Sequence, residues 1–290
     1  MANCNHNCSE CSENCSERTE IEKLKQNEGS NIKHIIGVIS GKGGVGKSFV
    51  TSLIASNLNK KGYKVGILDG DVTGPSIPKS FDIHEQAEGD GHQYIFPAIT
   101  KSGIKIISSN MLLPHEEDPI IWRGTLISSL LRQFFTDVLW EELDYLLIDM
   151  PPGTGDVTLT AFQQIPLDGV IVVTSPQDLV NMVVSKAVNM ASMMNIKIIG
   201  LVENMSYVVC PNCNEHIYLY GESNIEQVAK KNNLKVLAKL PIKVGDSKLI
   251  DNGKIELVDV KEINNVIEEI EKLWLKLMNL LNVEKNFIDN

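Results

Sequence analysis

Residues 41–48 read Gly-Lys-Gly-Gly-Val-Gly-Lys-Ser, an arrangement of glycines, lysines and a hydroxyl group that can bind phosphate. It fits G-x-x-x-x-G-K-[ST], in which glycines let backbone N–H groups approach phosphate oxygens. In that pattern Lys47 reaches the β- and γ-phosphates and the Ser48 hydroxyl ligates Mg²⁺. A glycine-rich turn without a ligand is the simpler alternative, but the motif is complete and lies between an apolar run and a helical one. The predicted nucleotide-binding residues are Gly41, Lys42, Gly43, Gly44, Val45, Gly46, Lys47, Ser48 and Phe49.

Carboxylates end two apolar segments further along the chain. Asp69 and Asp71 follow residues 65–68, and Asp149 ends residues 144–149. A carboxylate at the end of a strand beside a phosphate loop supports Mg²⁺, and a neighbouring one can orient the attacking water. A solvated acidic turn is the simpler alternative for the first pair. Beside a complete phosphate motif, we expect these aspartates to take part in phosphoryl transfer.

Cys210 and Cys213 form a C-P-x-C pair. Two thiolates so close together can chelate one metal, but zinc or an iron–sulfur cluster requires four sulfurs or their equivalents. One pair in each chain therefore implies a second pair from elsewhere, which a symmetric homodimer would supply on its two-fold axis. A redox-active thiol pair and a half-site completed by the N-terminal cysteines remain open as alternatives.

Four more cysteines lie near the N-terminus, within residues 1–33, which are rich in Asn, Ser, Glu and Lys. We predict that these residues form a flexible tail and that residues 34–290 form one phosphate-loop domain. The four thiols could complete a site within one chain, and we favour a [4Fe–4S] cluster, with zinc as the alternative. These cysteines are Cys4, Cys8, Cys11 and Cys15.

Length and composition exclude several classes of protein. With 290 residues and 43% hydrophobic residues, the chain is long enough for one large α/β domain. A net charge of −10 argues against general nucleic-acid or anionic-membrane binding. No apolar stretch is long enough to span a bilayer, and the first residues lack the features of a secretory signal. We therefore expect a cytoplasmic protein, in which cysteines serve as metal ligands or thiols more often than as disulfides.

Apolar, β-branched runs alternate with helical stretches from residue 34 onward, which predicts a doubly wound α/β fold with a mostly parallel sheet of about seven or eight strands. Ligands bind such sheets at the carboxyl ends of the strands. Residues 84–103 are expected to form a surface excursion with a hairpin. Residues 262–281 are expected to form a closing helix, with a membrane-binding helix as the alternative. The predicted strands are 34–39, 64–69, 104–108, 144–149, 169–174, 196–202 and 235–240.

Taken in order, these motifs resemble the Mrp/ApbC-type P-loop ATPases, which are relatives of the cytosolic iron–sulfur cluster scaffold proteins. The resemblance covers about residues 32–260. Its most specific part is Val-Glu-Asn-Met-Ser-Tyr at 202–207 followed by the C-P-x-C pair, because that pair separates this family from other P-loop proteins. The other matching stretches are residues 41–48, 69–78, 149–156 and 174–177.

The resemblance implies a P-loop fold of the SIMIBI, MinD-like class and an ATP hydrolase that acts as a carrier for iron–sulfur clusters. It implies that Lys42 crosses a homodimer interface to the partner's nucleotide, that Asp71 assists water attack and that Asn204 contacts adenine. The cofactors are then ATP, Mg²⁺ and a labile [4Fe–4S] cluster held between subunits by Cys210 and Cys213. The catalytic residues are then Lys42, Lys47 and Asp71, and the Mg²⁺ ligands are Ser48, Asp69 and Asp149.

The expected partners are a second copy of the chain and apo iron–sulfur proteins, with no membrane or nucleic acid. Two other functions fit part of the pattern. A MinD/ParA-like ATP-gated spatial regulator shares the phosphate loop but has no use for paired cysteines at 210 and 213. A reductase resembling the nitrogenase iron protein bridges a cluster between subunits, but its cysteines lie nearer the fourth strand, where residues 144–160 contain none.

Overall fold

The computed structural model describes residues 22–71, 74, 76–113, 124–153, 155–176 and 180–273. Strands and helices alternate along the chain, and each of the seven predicted strands is present. Short additional strands appear in the excursion before residue 103 and after the cysteine pair. The strands are β1 (Asn31–Ser40), β2 (Val65–Asp69), β3 (Glu88–Gly89), β4 (Ile95–Phe96), β5 (Ala98–Ile99), β6 (Lys105–Ser108), β7 (Glu142–Asp149), β8 (Gly169–Thr174), β9 (Ile198–Val209), β10 (His216–Ile217) and β11 (Val236–Ile242).

The described residues form one sheet of nine strands in the order β10-β9-β8-β1-β7-β2-β6-β5, with β11 paired to β9. The seven predicted strands pair in parallel, and the two-residue strands β5 and β10 are antiparallel to their neighbours. β3 and β4 form a separate antiparallel pair, which is the predicted hairpin. The predicted doubly wound α/β fold is therefore confirmed.

Helices cover both faces of this sheet, which explains why the central strands are continuously apolar. Every residue of β8 is buried, and so are the last six residues of β1. Burying each Val, Leu or Ile side chain stabilises the fold by about 1.5–3 kcal/mol. The helices are α1 (Lys47–Lys60), α2 (Ile77–Ser80), α3 (Gly124–Thr136), α4 (Asp156–Gln164), α5 (Val180–Met193), α6 (Ile225–Lys231) and α7 (Asp246–Asp251).

β9 is longer than the other strands, and the residues after Glu203 project beyond its pairing with β8 while remaining paired with β11 at Tyr207 and Val208. It pairs with β8 only as far as Glu203 and then runs on to Val209. Its register with β11 shifts between Glu203 and Tyr207, and Met205 has a left-handed φ of 58°. This irregularity is a bulge in β9, and such bulges redirect side chains and bend strands. The projecting part of β9 forms a hairpin with β10.

The chain contacts the folded body before the predicted start of the domain. Lys23 Nζ donates to the carbonyl oxygen of Phe162 at 2.8 Å, and Asn27 Nδ2 donates to that of Val138 at 2.7 Å. The first strand then begins at Asn31. β1 thus begins three residues before the predicted domain boundary at residue 34.

Residues 264–273 are helical. They belong to the helix predicted over 262–281, of which residues 274–281 lie outside the described part of the chain. Val266, Ile267 and Ile270 are buried in the main core. The apolar face of these residues is therefore occupied by the domain itself, as a closing helix requires.

Candidate functional site

The glycine-rich loop lies between β1 and α1, at the carboxyl edge of the sheet. Gly44 and Gly46 have φ values of 77° and 79°, which glycine adopts without the strain that other residues incur. A Cβ atom added to Gly44 would meet nothing within 4 Å, so the backbone is open there. The first turn of α1 presents free N–H groups and the positive end of its dipole, which favour an anion. The loop therefore has the backbone of a phosphate site.

Lys47 and Ser48 both contact the carboxylate of Asp149. Lys47 Nζ forms an ion pair of 2.8 Å with Asp149 Oδ2 and lies 3.6 Å from Asp71 Oδ2. Ser48 Oγ donates a hydrogen bond of 2.5 Å to Asp149 Oδ2. Asp149 is fully buried, and a buried carboxylate requires such partners. The structure thus brings together the lysine, the hydroxyl group and two of the three predicted aspartates.

Asp69 completes this cluster, because β2 and β7 pair it in register with Asp149. Burial, and then the negative charge of Asp149, raise the pKa of Asp69 to about 8, although Lys47 opposes the shift. Two adjacent buried carboxylates repel each other, and a divalent cation relieves that repulsion. Carboxylate and hydroxyl oxygens are also the ligands that Mg²⁺ accepts. Ser48, Asp69 and Asp149 therefore fit Mg²⁺ by their chemistry.

Two hydroxyl groups that hold these aspartates were not predicted. Thr51 Oγ1, fully buried one helical turn after Lys47, lies 2.9 Å from Asp149 Oδ1 and 3.0 Å from the Lys47 carbonyl oxygen. Ser108 Oγ donates a 3.0 Å hydrogen bond to Asp69 Oδ2 from the end of β6. The signal for Thr51 was the helical spacing of four residues after Lys47. The signal for Ser108 was a polar residue ending a predicted strand.

Asn204 contacts the loop directly. Its Nδ2 donates a hydrogen bond of 3.0 Å to the carbonyl oxygen of Val45, and its side chain is buried. A Cβ atom on Gly46 would lie 2.2 Å from this same nitrogen, so the close approach of β9 requires glycine. Contact between Asn204 and adenine stays a prediction, whereas the structure shows the hydrogen bond from Asn204 to the loop.

A cavity of about 310 Å³ opens over the loop. Phe49, Asp71 and most of the predicted loop residues line it. Gly41, Lys42 and Asn204 are not part of its wall. Lys42 is half-buried, and its carbonyl oxygen accepts a hydrogen bond of 3.0 Å from Ser40 Oγ. The lining residues outside the prediction are Ser40, Gly74, Ser76, Ser80, Pro152 and Ile250.

Cys210 and Cys213 lie at the tip of the β9–β10 hairpin. Cys210 is half-buried and Cys213 is exposed. The tip is closed by hydrogen bonds of 2.9 Å from Cys210 N to the Glu215 carbonyl oxygen and from Asn214 N to the Cys210 carbonyl oxygen. The N–H groups of Asn212 and Cys213 lower the pKa of the Cys210 thiol, which favours the thiolate that binds metals.

The described residues contain no group of three or more His, Cys, Asp or Glu side chains with the geometry for holding a metal ion. Among these residues, the cysteine pair has no third ligand of these types close enough to form such a group. The tail cysteines at positions 4, 8, 11 and 15 lie outside the described residues. Within the described ranges, no helix is long and apolar enough to cross a membrane.

Comparisons with known proteins agree with these features. The profile of the family described as "ParA: NUBPL iron-transfer P-loop NTPase" matches residues 31–278. A protein of Clostridium perfringens named "Iron-sulfur cluster carrier protein" is 48% identical over 241 residues, which cover 81% of this chain and 84% of that protein.

Solved structures share the fold. A nucleotide-binding protein of Archaeoglobus fulgidus in complex with ADP has 42% sequence identity and a TM-score of 0.71, covering 80% of this chain and 91% of that one. The cell division ATPase MinD of Pyrococcus furiosus has 19% identity and a TM-score of 0.56, covering 83% and 99%. At that identity the second likeness shows the fold alone.

Proposed function

Since this chain belongs to the family of NUBPL iron-transfer P-loop NTPases, we propose that it is an ATP-dependent carrier that binds an iron–sulfur cluster and passes it to apoproteins. One observation carries the proposal. β9 contacts the phosphate loop through Asn204 and leads directly into the Cys210–Cys213 pair. A strand that contacts the phosphate loop and leads into a pair of thiols suits a protein in which nucleotide binding affects the binding of a metal cluster.

ATP binds in the cavity over residues 41–48, where backbone N–H groups and Lys47 receive its phosphates. Ser48, Asp69 and Asp149 would hold Mg²⁺, which neutralises phosphate charge during transfer. Asp71, on the cavity wall, orients the attacking water. Lys47 lies within 4 Å of both Asp71 and Asp149, so its charge holds these carboxylates together. Hydrolysis is slow and accompanies cluster binding or transfer.

The carrier acts as a homodimer. Two copies of the Cys210–Cys213 half-site supply the four thiolates that a labile [4Fe–4S] cluster requires. Lys42 reaches the nucleotide of the partner subunit, so that ATP closes the interface and hydrolysis loosens it. Loading and release of the cluster then follow the nucleotide cycle. Apo iron–sulfur proteins in the cytoplasm receive the cluster.

Anaerobic reconstitution with iron and sulfide, followed by Mössbauer spectroscopy and native mass spectrometry, tests the cluster site. Relative to wild type, we expect Cys210→Ala/Cys213→Ala to lose one [4Fe–4S] cluster for each dimer, whatever the N-terminal cysteines bind. The matched variant replaces the four N-terminal cysteines by alanine and should keep the bridging cluster. An undiminished cluster in the double variant would refute the site. Loss in the N-terminal variant would instead indicate that the tail completes it.

Transfer to apo-aconitase tests the role of ATP. We expect ATP to change the transfer rate of wild type and to have no effect on Lys47→Ala. If both proteins transfer the cluster at the same rate with and without ATP, then ATP does not affect cluster transfer. The carrier function would remain, but without ATP dependence.

A further inference from the structure

Glu203 is a buried carboxylate that none of the proposed steps uses. It is fully buried in the middle of β9, one residue before Asn204. Ser206 Oγ donates a hydrogen bond of 2.6 Å to Glu203 Oε1, and Ser223 Oγ donates one to Oε2. Each carboxylate oxygen therefore has a hydroxyl donor. Burying a carboxylate is costly, so two well-placed donors on it indicate a fixed structural junction.

The two serines lie on either side of the cysteine hairpin in the chain, one before it and one after it. Ser206 is in the strand that enters the hairpin, four residues before Cys210. Ser223 follows the hairpin and accepts a hydrogen bond of 3.1 Å from the N–H group of Ile225, at the start of α6. Because one carboxylate binds both hydroxyl groups, the chain entering the cysteine tip and the chain leaving it are fixed to a single point.

That point is also tied to the phosphate loop. Asn204, the next residue, holds the Val45 carbonyl oxygen at 3.0 Å and packs against Gly46. The bulge at Met205 separates this contact from the projecting part of β9. A bulge is a place where a strand can bend, so a displacement at Val45 changes the direction of the stem that carries Cys210, together with the end of β11, which pairs with that stem at Tyr207 and Val208.

We infer that Glu203 is a positioning residue that transmits the state of the phosphate loop to the Cys210–Cys213 tip, an inference that rests on the proposed function. When phosphate binds, Val45 and Asn204 move together. Through Ser206 and Ser223, Glu203 then moves the chain on both sides of the hairpin, so the tip moves as a unit. Without the Glu203 carboxylate, a movement of the phosphate loop on nucleotide binding no longer moves the cysteine tip.

The experiment measures alkylation of the peptide that contains Cys210 and Cys213, by iodoacetamide and mass spectrometry, on the full chain free of iron and zinc. Rates are compared with and without Mg²⁺ and the β,γ-imido analogue of ATP. In wild type we expect the analogue to change the rate at least about fivefold, the lower range of coupling between sites. In Glu203→Gln and Ser223→Ala the change should fall below about twofold, while nucleotide affinity stays close to that of wild type.

Two further variants separate positioning from simple stability. Ser223→Thr keeps the hydroxyl group and should keep the nucleotide effect. Ser56→Ala removes a buried serine hydroxyl that has no hydrogen-bond partner among the described residues, and it should behave as wild type. If Glu203→Gln does not fold, Ser223→Ala, which leaves the carboxylate in place, decides the question.

The inference is overturned if Glu203→Gln and Ser223→Ala retain the full nucleotide effect. It is also overturned if they lose nucleotide affinity, because Glu203 would then support the nucleotide site itself. If the analogue does not change the alkylation rate of the wild-type thiols, the coupling in the proposed function is refuted, and the inference with it. The two failures are therefore distinguishable.

Discussion

Asp69 lies directly across from Asp149 on neighbouring parallel strands, and both carboxylates are buried. In the proposed function this pair attracts Mg²⁺, but folding must bring the two carboxyl groups together without it. Lys47, Ser48, Thr51 and Ser108 supply the positive charge and hydroxyl donors that make this arrangement tolerable. The two carboxyl groups thus repel each other whenever both are ionised, and the proposed Mg²⁺ would relieve that repulsion.

Stability without metal should fall as the pH rises, because of Asp69. Its pKa of about 8 in the folded protein exceeds its ordinary value of 3.8, so the folded state binds the proton more tightly. The stabilising contribution is complete below about pH 4 and is lost as the pH rises to about 8. Asp69→Asn cannot ionise, so it should flatten this slope and raise the melting temperature at pH 8 in EDTA by several degrees.

Thermal unfolding at pH 5, 6.5 and 8 in EDTA measures this effect. The control is Asp251→Asn, which alters an exposed aspartate and should follow wild type. Parallel pH curves for wild type and Asp69→Asn would show that ionisation of Asp69 does not set the slope.

Thr51→Val should weaken the Mg²⁺ dependence of nucleotide binding. The change keeps the shape of the side chain but removes the hydroxyl 2.9 Å from Asp149. Loss of a group that orients a metal ligand costs about 10–100-fold in metal affinity. Mg²⁺ titration of a fluorescent ATP analogue measures the midpoint. Ser52→Ala removes another buried hydroxyl of α1, one without a hydrogen-bond partner among the described residues, and should leave the midpoint in place. An unchanged midpoint in Thr51→Val would contradict the role.

Lys42→Ala and Lys47→Ala should fail in different ways. Lys47 is buried beside the carboxylates, and its loss should abolish nucleotide binding. Lys42 is half-buried and outside the cavity wall, so its loss should leave nucleotide binding intact and remove ATP-dependent dimerisation and hydrolysis. Binding titrations, sedimentation velocity and phosphate release distinguish the two. Dimerisation of Lys42→Ala with ATP at the wild-type level would rule out a role across the interface.

Gly46→Ala should destabilise the protein more than Gly44→Ala. Both glycines have nearly the same positive φ, so both variants incur backbone strain of about 1–3 kcal/mol. Only at Gly46 would the added Cβ meet Asn204, at 2.2 Å, which adds an overpacking cost of about 1–3 kcal/mol. Urea unfolding without nucleotide compares the two variants. Equal losses would mean that Asn204 moves aside freely.

Sequence patterns were sufficient for the seven longer strands and for placing the glycine-rich motif between β1 and α1. Apolar β-branched runs are typical of buried parallel strands, and the phosphate loop has a fixed spacing because its backbone geometry leaves little freedom. Glu203 was not predicted to have a role of its own, since its two serine partners lie three and twenty residues away. Contacts of this kind depend on how β9 bends and on where α6 begins, which local spacing does not encode. The edge strands β5 and β10 were not predicted either, because a strand of two residues is too short to show a periodic pattern.

The continuation of β9 past its pairing with β8 has a thermodynamic consequence. The strand touches the phosphate loop at Asn204 and presents the thiols at its end, so any effect of ATP on cluster affinity must operate in reverse by the same factor. A loaded carrier and an empty one then differ in their affinity for ATP. Cluster binding would thereby change the fraction of carriers that hold nucleotide at a given ATP concentration. Because one strand connects the two sites, occupancy of the cluster site would determine the affinity of the nucleotide site.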